Sequence, residues 1–347
     1  MKMMNCKTKR KVKFAKGQYL IALLALFLFN SLSFAVQDPN GEQKFSVEQT
    51  KKFEENLQSS FSGIGTGIEI NPKGIYIKNV IPGGPAEKAG LKGGEIITEI
   101  DGKSTTGMSL EKAVSMLKGP TGTSVNLKLL LSNGTAQEIS IVRGPVSVSG
   151  VDSRVIEPNI GLLVISGFKN ESAAKVKDAL LNFQQKKIKG LILDIRNNKG
   201  GFLPEVKKIT GFFLEPNEIM WQTQNIGQNE RISVKSNSRK ISQWPIVVLI
   251  NSETMCGGEL LASAVKSKGG AKLLGQKTFG EGSFYKFEKQ DDGTSKKVRM
   301  GYFFTADGQD LEGKGVIPDI EIDPKLSTEE IIKKAVNELT KNNVNKT

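Results

Sequence analysis

Polar and apolar residues alternate along some stretches of this chain and run together in others, and the change of pattern separates two units. Gly74-Ile75-Tyr76-Ile77-Lys78-Asn79-Val80 alternates, as does Ser124 to Leu131, and Glu95 to Ile100 reads as a further strand. Period-2 alternation is the mark of a strand with one wet face. Gly63 to Ile70 leads into a further strand. Between these strands Pro85 to Leu91 reads as a short helix ended by a glycine, and Ser109 to Leu117 as an amphipathic helix capped by Ser109. Asp101-Gly102 supplies a tight turn. Residues 63–146 therefore read as a unit of their own, with Ser124 to Leu131 as the closing strand.

Beyond residue 147 the apolar residues run without interruption. Ile160 to Ile165, Gly190 to Ile195 and Pro245 to Ile250 are short continuous runs, and Ser172 to Gln184 has the 3.6-residue period of an amphipathic helix. Runs of this kind suit strands covered on both faces, and their alternation with helices indicates an α/β (α+β) fold with a mixed sheet over residues 147–325. Glu259 to Ser267 reads as helix. Residues 36–62 are a polar segment with a helix from Ser46, its N-cap, to Leu57. Residues 326–347 make a C-terminal helix and polar tail, with Lys341 to Thr347 frayed.

Charge changes this picture only at the N-terminus. The formal net charge is +13, but residues 1–35 hold seven basic and no acidic residues, which leaves 42 basic against 36 acidic residues elsewhere, a net +6. That is a solvated basic surface, not a nucleic-acid footprint. The same 35 residues read as a secretory signal: a basic start, an apolar run from Tyr19 to Phe29, and small residues at Ser33 and Ala35 before a cleavage site. The run is shorter than the about 20 apolar residues that span a bilayer; the other reading of the segment is an uncleaved anchor. Cleavage after Ala35 implies the periplasm or cell envelope, with membrane contact only during export.

The chain has no histidine. Ser-His-Asp triads, Cys-His pairs and His-based zinc sites are therefore excluded. Of two cysteines, Cys6 lies in the leader and Cys256 lies in Met255-Cys256-Gly257-Gly258-Glu259, so the mature chain forms no internal disulfide. Asp194-Ile195-Arg196-Asn197-Asn198-Lys199-Gly200-Gly201 follows a strand and precedes a helix, and its glycines let backbone amides approach a reacting carbonyl. No phosphate-binding loop or metal-spaced carboxylate cluster stands out, and no cofactor is expected.

Two resemblances organise these motifs. Ile81-Pro82-Gly83-Gly84-Pro85-Ala86-Glu87-Lys88-Ala89-Gly90-Leu91-Lys92-Gly93-Gly94-Glu95-Ile96-Ile97 with Asp101-Gly102-Lys103 resembles a PDZ domain of the bacterial envelope type. The resemblance implies a peptide added to a sheet edge and a carboxylate nest at Ser62-Gly63-Ile64-Gly65. The Asp194–Gly201 loop, the Cys256 segment, Thr278-Phe279-Gly280-Glu281-Gly282, Phe303 to Gly308 and Glu312 to Ile320 resemble, in order, the motifs of the carboxyl-terminal processing (tail-specific) proteases. Those enzymes use a Ser–Lys dyad with a glutamine as third residue. The resemblance places Cys256 at the nucleophile position, Glu281 at the base position and Tyr285 at the third, with Gly200, Gly201 and Gly257 as the oxyanion hole.

A neutral, desolvated lysine takes the nucleophile's proton in that family, whereas a carboxylate beside a thiol raises its pKa. The reading is a protein that recognises C-terminal tails of proteins, with reduced or lost peptidase activity, and regulates an active protease relative. Its alternatives are a cysteine-variant endopeptidase using Cys256 and a structural envelope scaffold. For the second, Lys199 on the neighbouring loop is the amine in view, since Lys286 should face away from Tyr285 and Lys277 has no catalytic counterpart.

Overall fold

The computed structural model describes residues 23–24, 43–57, 60–147, 150–156 and 159–344. The leader with its cleavage site after Ala35 lies outside the described residues apart from Leu23–Leu24, as do the last three residues of the chain.

A two-residue strand at Leu23–Leu24 is followed by strand β1 (Gln43–Phe45) and helix α1 (Val47–Leu57). Ser46 caps α1: its hydroxyl accepts from Gln49 N–H at 3.2 Å while Gln49 Oε1 accepts from Ser46 N–H at 2.9 Å, a reciprocal capping box. Strand β2 (Ser60–Gly63) then opens a small domain that closes with strand β9 (Gly144–Ser147). The two are antiparallel, with Gly63 opposite Gly144 and Ser60 opposite Ser147, so both ends of the domain meet in one clasp.

Inside the clasp lie β3 (Thr66–Asn71), β4 (Gly74–Val80), α2 (Pro85–Lys88), β5 (Ile96–Ile100), β6 (Lys103–Ser104), α3 (Leu110–Leu117), β7 (Ser124–Leu130) and β8 (Ala136–Val142). The sheet order is β3-β4-β5-β7-β8, with β6 beside β5. The expectation that β7 closes the unit is corrected: β8 pairs with it along its whole length, Ser124 opposite Val142. β8 escaped notice because it is a half-exposed edge strand with few buried residues. Ile75, Ile77, Ile97, Ile100, Val125 and Leu127 form the core of this domain. Arg143 closes its base, donating to the carbonyls of Met116, Leu117 and Ser124 and so binding the end of α3 to β7.

The second domain has two sheets. Its first follows the order β10 (Val151–Ile156), β11 (Ile160–Ile165), β12 (Gly190–Asp194), β15 (Ile246–Ile250), β16 (Lys272–Gly275), β19 (Ile320–Glu321). Only β10 is antiparallel to its neighbour. Strands β12 and β15 are buried at every residue, which is why they read as continuous apolar runs. Their alternate residues feed different cores. Leu191, Leu193, Val248 and Ile250 pack with α4 (Ser172–Gln185), α5 (Leu203–Gly211) and α6 (Gly257–Ser267). Ile192, Val247 and Leu249 pack under α7 (Thr328–Val344) through Ala335 and Leu339. α7 runs on through Lys341 to Val344, so most of the stretch expected to fray is helical.

The second sheet is antiparallel, with Leu23–Leu24, β17 (Ser283–Lys289), β18 (Ser295–Thr305), β13 (Ile219–Asn225) and β14 (Ile232–Lys235) in that order and β1 added to β18. Segment 43–45 is thus part of this sheet. The fold is a mixed α/β structure, and the loops after β12 and β15 leave the carboxyl ends of adjacent parallel strands. That is where open α/β sheets form their crevices.

Candidate active site

Cys256 is the N-cap of α6, at φ +49° and ψ −111°. A non-glycine residue rarely adopts this conformation, which costs of order 1–3 kcal/mol and persists only where the surroundings impose it. α6 starts two residues earlier than its sequence suggests, because Gly257 and Gly258 form its first turn. Their lack of side chains is a packing requirement. A Cβ on Gly257 would lie 2.8 Å from Val206 Cγ2, and one on Gly258 2.9 Å from Thr254 Cγ2.

The loop after β12 is sewn to this turn. Asn197 N–H donates to Asn251 Oδ1, Thr254 Oγ1 to the Ile195 carbonyl and Met255 N–H to the Asn198 carbonyl. Asn198, fully buried, donates its amide to the Ile165 carbonyl at 2.8 Å and accepts from Gly200 N–H at 2.8 Å. The Gly200 amide is therefore engaged inside its own loop, which leaves Gly201 and Gly257 as the candidate oxyanion donors. Gly201, at φ +143°, has no room for a Cβ against the Phe168 carbonyl.

Glu259 joins Cys256 to the loop that carries Glu281. Its Oε2 accepts from Cys256 N–H at 2.8 Å and Glu281 N–H at 2.9 Å. Its Oε1 accepts from Thr278 Oγ1 at 2.6 Å and Gly280 N–H at 2.7 Å. Burial pushes this carboxyl above its ordinary value and the four donors pull it back. Gly282 N–H and Ser283 Oγ are held in turn by Glu312 Oε2 at 2.9 and 3.0 Å.

Cys256, Glu281 and Tyr285 come together. Tyr285 donates its hydroxyl to Glu281 Oε1 at 3.0 Å. A register shift between Phe284 and Tyr285 turns both rings inward, as a bulge allows. Burial, then the charges of Glu281 and Glu259, push the Cys256 thiol well above its ordinary value. The Gly257 N–H and Lys297 act against this without reversing it. Burial also raises Glu281, with Lys297 opposing, and raises the Tyr285 hydroxyl to about 12.

The amine expected near the thiol is not Lys199, which is bound to Glu253 at 2.7 Å on the exterior. Lys286 pairs with Glu288 at 2.8 Å, and Lys277 is exposed. The lysine that reaches the centre is Lys297 of β18, which the sequence reading missed. It is 7% exposed, with its ammonium nitrogen 3.7 Å from the Tyr285 ring centroid. A signal was available: stepping back by twos from Phe303 gives Gly301, Arg299, Lys297 and Ser295, the inward face of one strand.

Residues 159–322 match the family model "Peptidase family S41", and residues 53–131 match "PDZ domain". The Bacillus subtilis carboxy-terminal processing protease CtpA is 33% identical over 274 residues, 79% of this chain and 59% of the relative. The chain belongs to the carboxyl-terminal processing protease family. A CtpA-like serine protease of Staphylococcus aureus (strain N315) is 30% identical over 299 residues, 86% of this chain and 60% of the relative. The chain thus spans about 60% of the length of these curated members of the family. Among solved structures, the photosystem II D1 C-terminal processing protease aligns with a TM-score of 0.50 and 25% identity, over 86% of this chain and 82% of that one. In this member the turn at Cys256, the glycine loop and the Glu281 loop are built as one hydrogen-bonded body.

Glu259→Gln tests that construction. The amide has one acceptor oxygen, so two of the four donors lose their partner, at about 1–3 kcal/mol each. Denaturant unfolding of the peptidase-type domain should show a loss of roughly 2–6 kcal/mol. A loss below about 1 kcal/mol would mean that Glu259 does not hold the two segments together.

Proposed function

We propose that this chain is an exported envelope protein that captures the C-terminal tails of proteins on residues 63–146 and presents them to a core of weakened or lost peptidase activity. The observation that carries the reading is the setting of Cys256: a buried thiol whose ionisation is opposed by burial and by the charges of Glu281 and Glu259. A serine- or cysteine-type acyl transfer needs the nucleophile deprotonated as it attacks. Two carboxylates in a dry site oppose that ionisation, and Glu281 stands where family members carry the lysine base. Loss of a positioned base costs roughly 10²–10⁴-fold in rate. Gly201 and Gly257 would supply the oxyanion donors if a carbonyl entered.

A cysteine endopeptidase is the second reading, favoured by the Cys256 turn itself. A strained elbow at a helix N-terminus, with Gly257 N–H directed at the sulfur, is the usual mounting of a nucleophile.

Tail capture rests on the turn after β2. Ser62 and Gly63 belong to the clasp, with Ser62 Oγ 2.9 Å from Thr121 Oγ1. Ile64 and Gly65 follow outside any strand, and their carbonyls accept from Ala86 and Ile81. Among the described residues no backbone acceptor takes the amides of Ile64 or Gly65. Beside them β3 is an edge strand, and Ile70 on it is exposed. An edge strand next to open amides suits strand addition with carboxylate capture.

Two experiments bear on this function. Incubation with an unfolded protein ending in apolar residues, at neutral pH under reducing conditions, should give cleavage no faster than that of Cys256→Ala. Turnover that vanishes in Cys256→Ala would establish the endopeptidase instead. Calorimetric titration with a peptide ending in apolar residues should give micromolar affinity, about −8 kcal/mol, for the free acid and much weaker binding for its C-terminal amide. Equal affinities would remove carboxylate capture.

A further inference from the structure

Lys297 enters the centre from a direction that the family's motifs do not foresee. Its neighbours along the inward face of β18 are Ser295 and Arg299, and on β17 Phe287 stands opposite Lys297 and Tyr285 opposite Arg299. The ammonium lies over the Tyr285 ring at 3.7 Å, and the hydroxyl of that ring donates to Glu281 at 3.0 Å. Arg299 lies 5.8 Å from the same ring centroid, and its Nη2 is 3.5 Å from the Tyr285 hydroxyl. A buried lysine normally has a carboxylate for company, and Glu281 provides one here.

We propose that Lys297 is the counter-ion available to a Cys256 thiolate, and that Glu281 keeps it engaged, so that the centre is a thiol–ammonium pair held latent by a carboxylate. Lys297 is then a positioning residue, acting through its charge. The groups that face the thiol are Glu259 from its own helix, Glu281 from the loop before β17 and Lys297 from β18. Those that face Glu281 are Lys297 and Arg299 from β18, Tyr285 from β17 and Glu312 from the loop after β18. Lys297 acts on Glu281 and on Cys256, with Arg299 as its like-charged neighbour. Two acids and one ammonium thus act on Cys256, and Glu281, the acid that opposes the thiolate more, also acts on the ammonium. Making that acid neutral removes a repulsion from the thiolate and leaves the cation to it. In the step itself the S–H bond breaks, the electron pair stays on sulfur, and the proton passes to solvent. Lys297 keeps its protons, and nothing is oxidised or reduced.

The inference rests on the family reading only for the place of Cys256 in the centre. It is tested on the thiol without substrate, so a cleavage result bears on the proposed function alone. Alkylation by iodoacetamide against pH, and ultraviolet thiolate absorbance, are measured on the full chain and corrected by Cys256→Ser for the contribution of Cys6. Glu281→Gln should lower the thiol midpoint by about one unit, which is about tenfold more thiolate at neutral pH. Adding Lys297→Met should cut the gain, leaving only the part due to the lost Glu281 repulsion, and adding Lys297→Arg should keep most of it. A gain undiminished by Lys297→Met, or none in a folded Glu281→Gln protein, would overturn the proposal. Should Glu281→Gln fail to fold, Lys297→Met alone decides: it should raise the thiol midpoint, and an unchanged midpoint overturns the proposal.

Discussion

The Glu259 carboxylate is the constraint on which the centre depends. Four donors from two separate parts of the chain converge on its two oxygens. One is the amide of Cys256, the residue held in the strained turn. Three come from Thr278, Gly280 and Glu281, on the loop that supplies the second side chain. Without a buried acceptor the three amides and the Thr278 hydroxyl would have no such partner in a dry interior, each at a cost comparable to a lost hydrogen bond. With it, the turn and the loop are one rigid piece. The same carboxylate also acts electrostatically: it is a second acid close to the Cys256 thiol and helps to keep the proton on sulfur. A residue whose first role is structural therefore sets the chemistry of its neighbour.

The rest of the fold delivers these parts to one place. Parallel strands β12 and β15, buried on both faces, end side by side, and their loops exchange hydrogen bonds between Asn197 and Asn251 and from Met255 N–H to the Asn198 carbonyl. The antiparallel sheet brings β17 and β18 across the opening. Tyr285 comes from one of them and Lys297 from the other. The centre thus combines a turn from the first sheet with side chains from the second, and their charges are close enough to compete.

Much of this is legible in the sequence. Ser46 and Ser109 were readable as caps because a short hydroxyl ahead of a periodic run has one main use, and both side chains accept from the third residue of their helix. Ile246 to Ile250 was readable because a strand covered on both faces has no polar position to show. The start of α6 was less readable: a glycine pair is a poor helix former, and only the crowding by Phe168, Val206 and Thr254 explains it. Strand β8 hid behind its exposed polar residues. Among the site residues, those on motif-bearing loops were readable and Lys297 was not. Its strand has charged residues on both faces, and the only signal is the period-2 step back from Phe303, which selects Lys297 over Lys296 once Phe303 is known to face inward. The partner strand and its bulge decide that.

The central claim is that Cys256 remains a neutral thiol at physiological pH because burial and two acids outweigh a helix N-terminus and one lysine. The direct measurement is the titration of its Cβ carbon resonance in the full chain labelled with carbon-13 cysteine, with Cys256→Ser identifying the signal. The account predicts a midpoint above the ordinary thiol value of about 8.5. A midpoint near or below neutrality would contradict it, and would show that the cation, not the carboxylates, governs the centre.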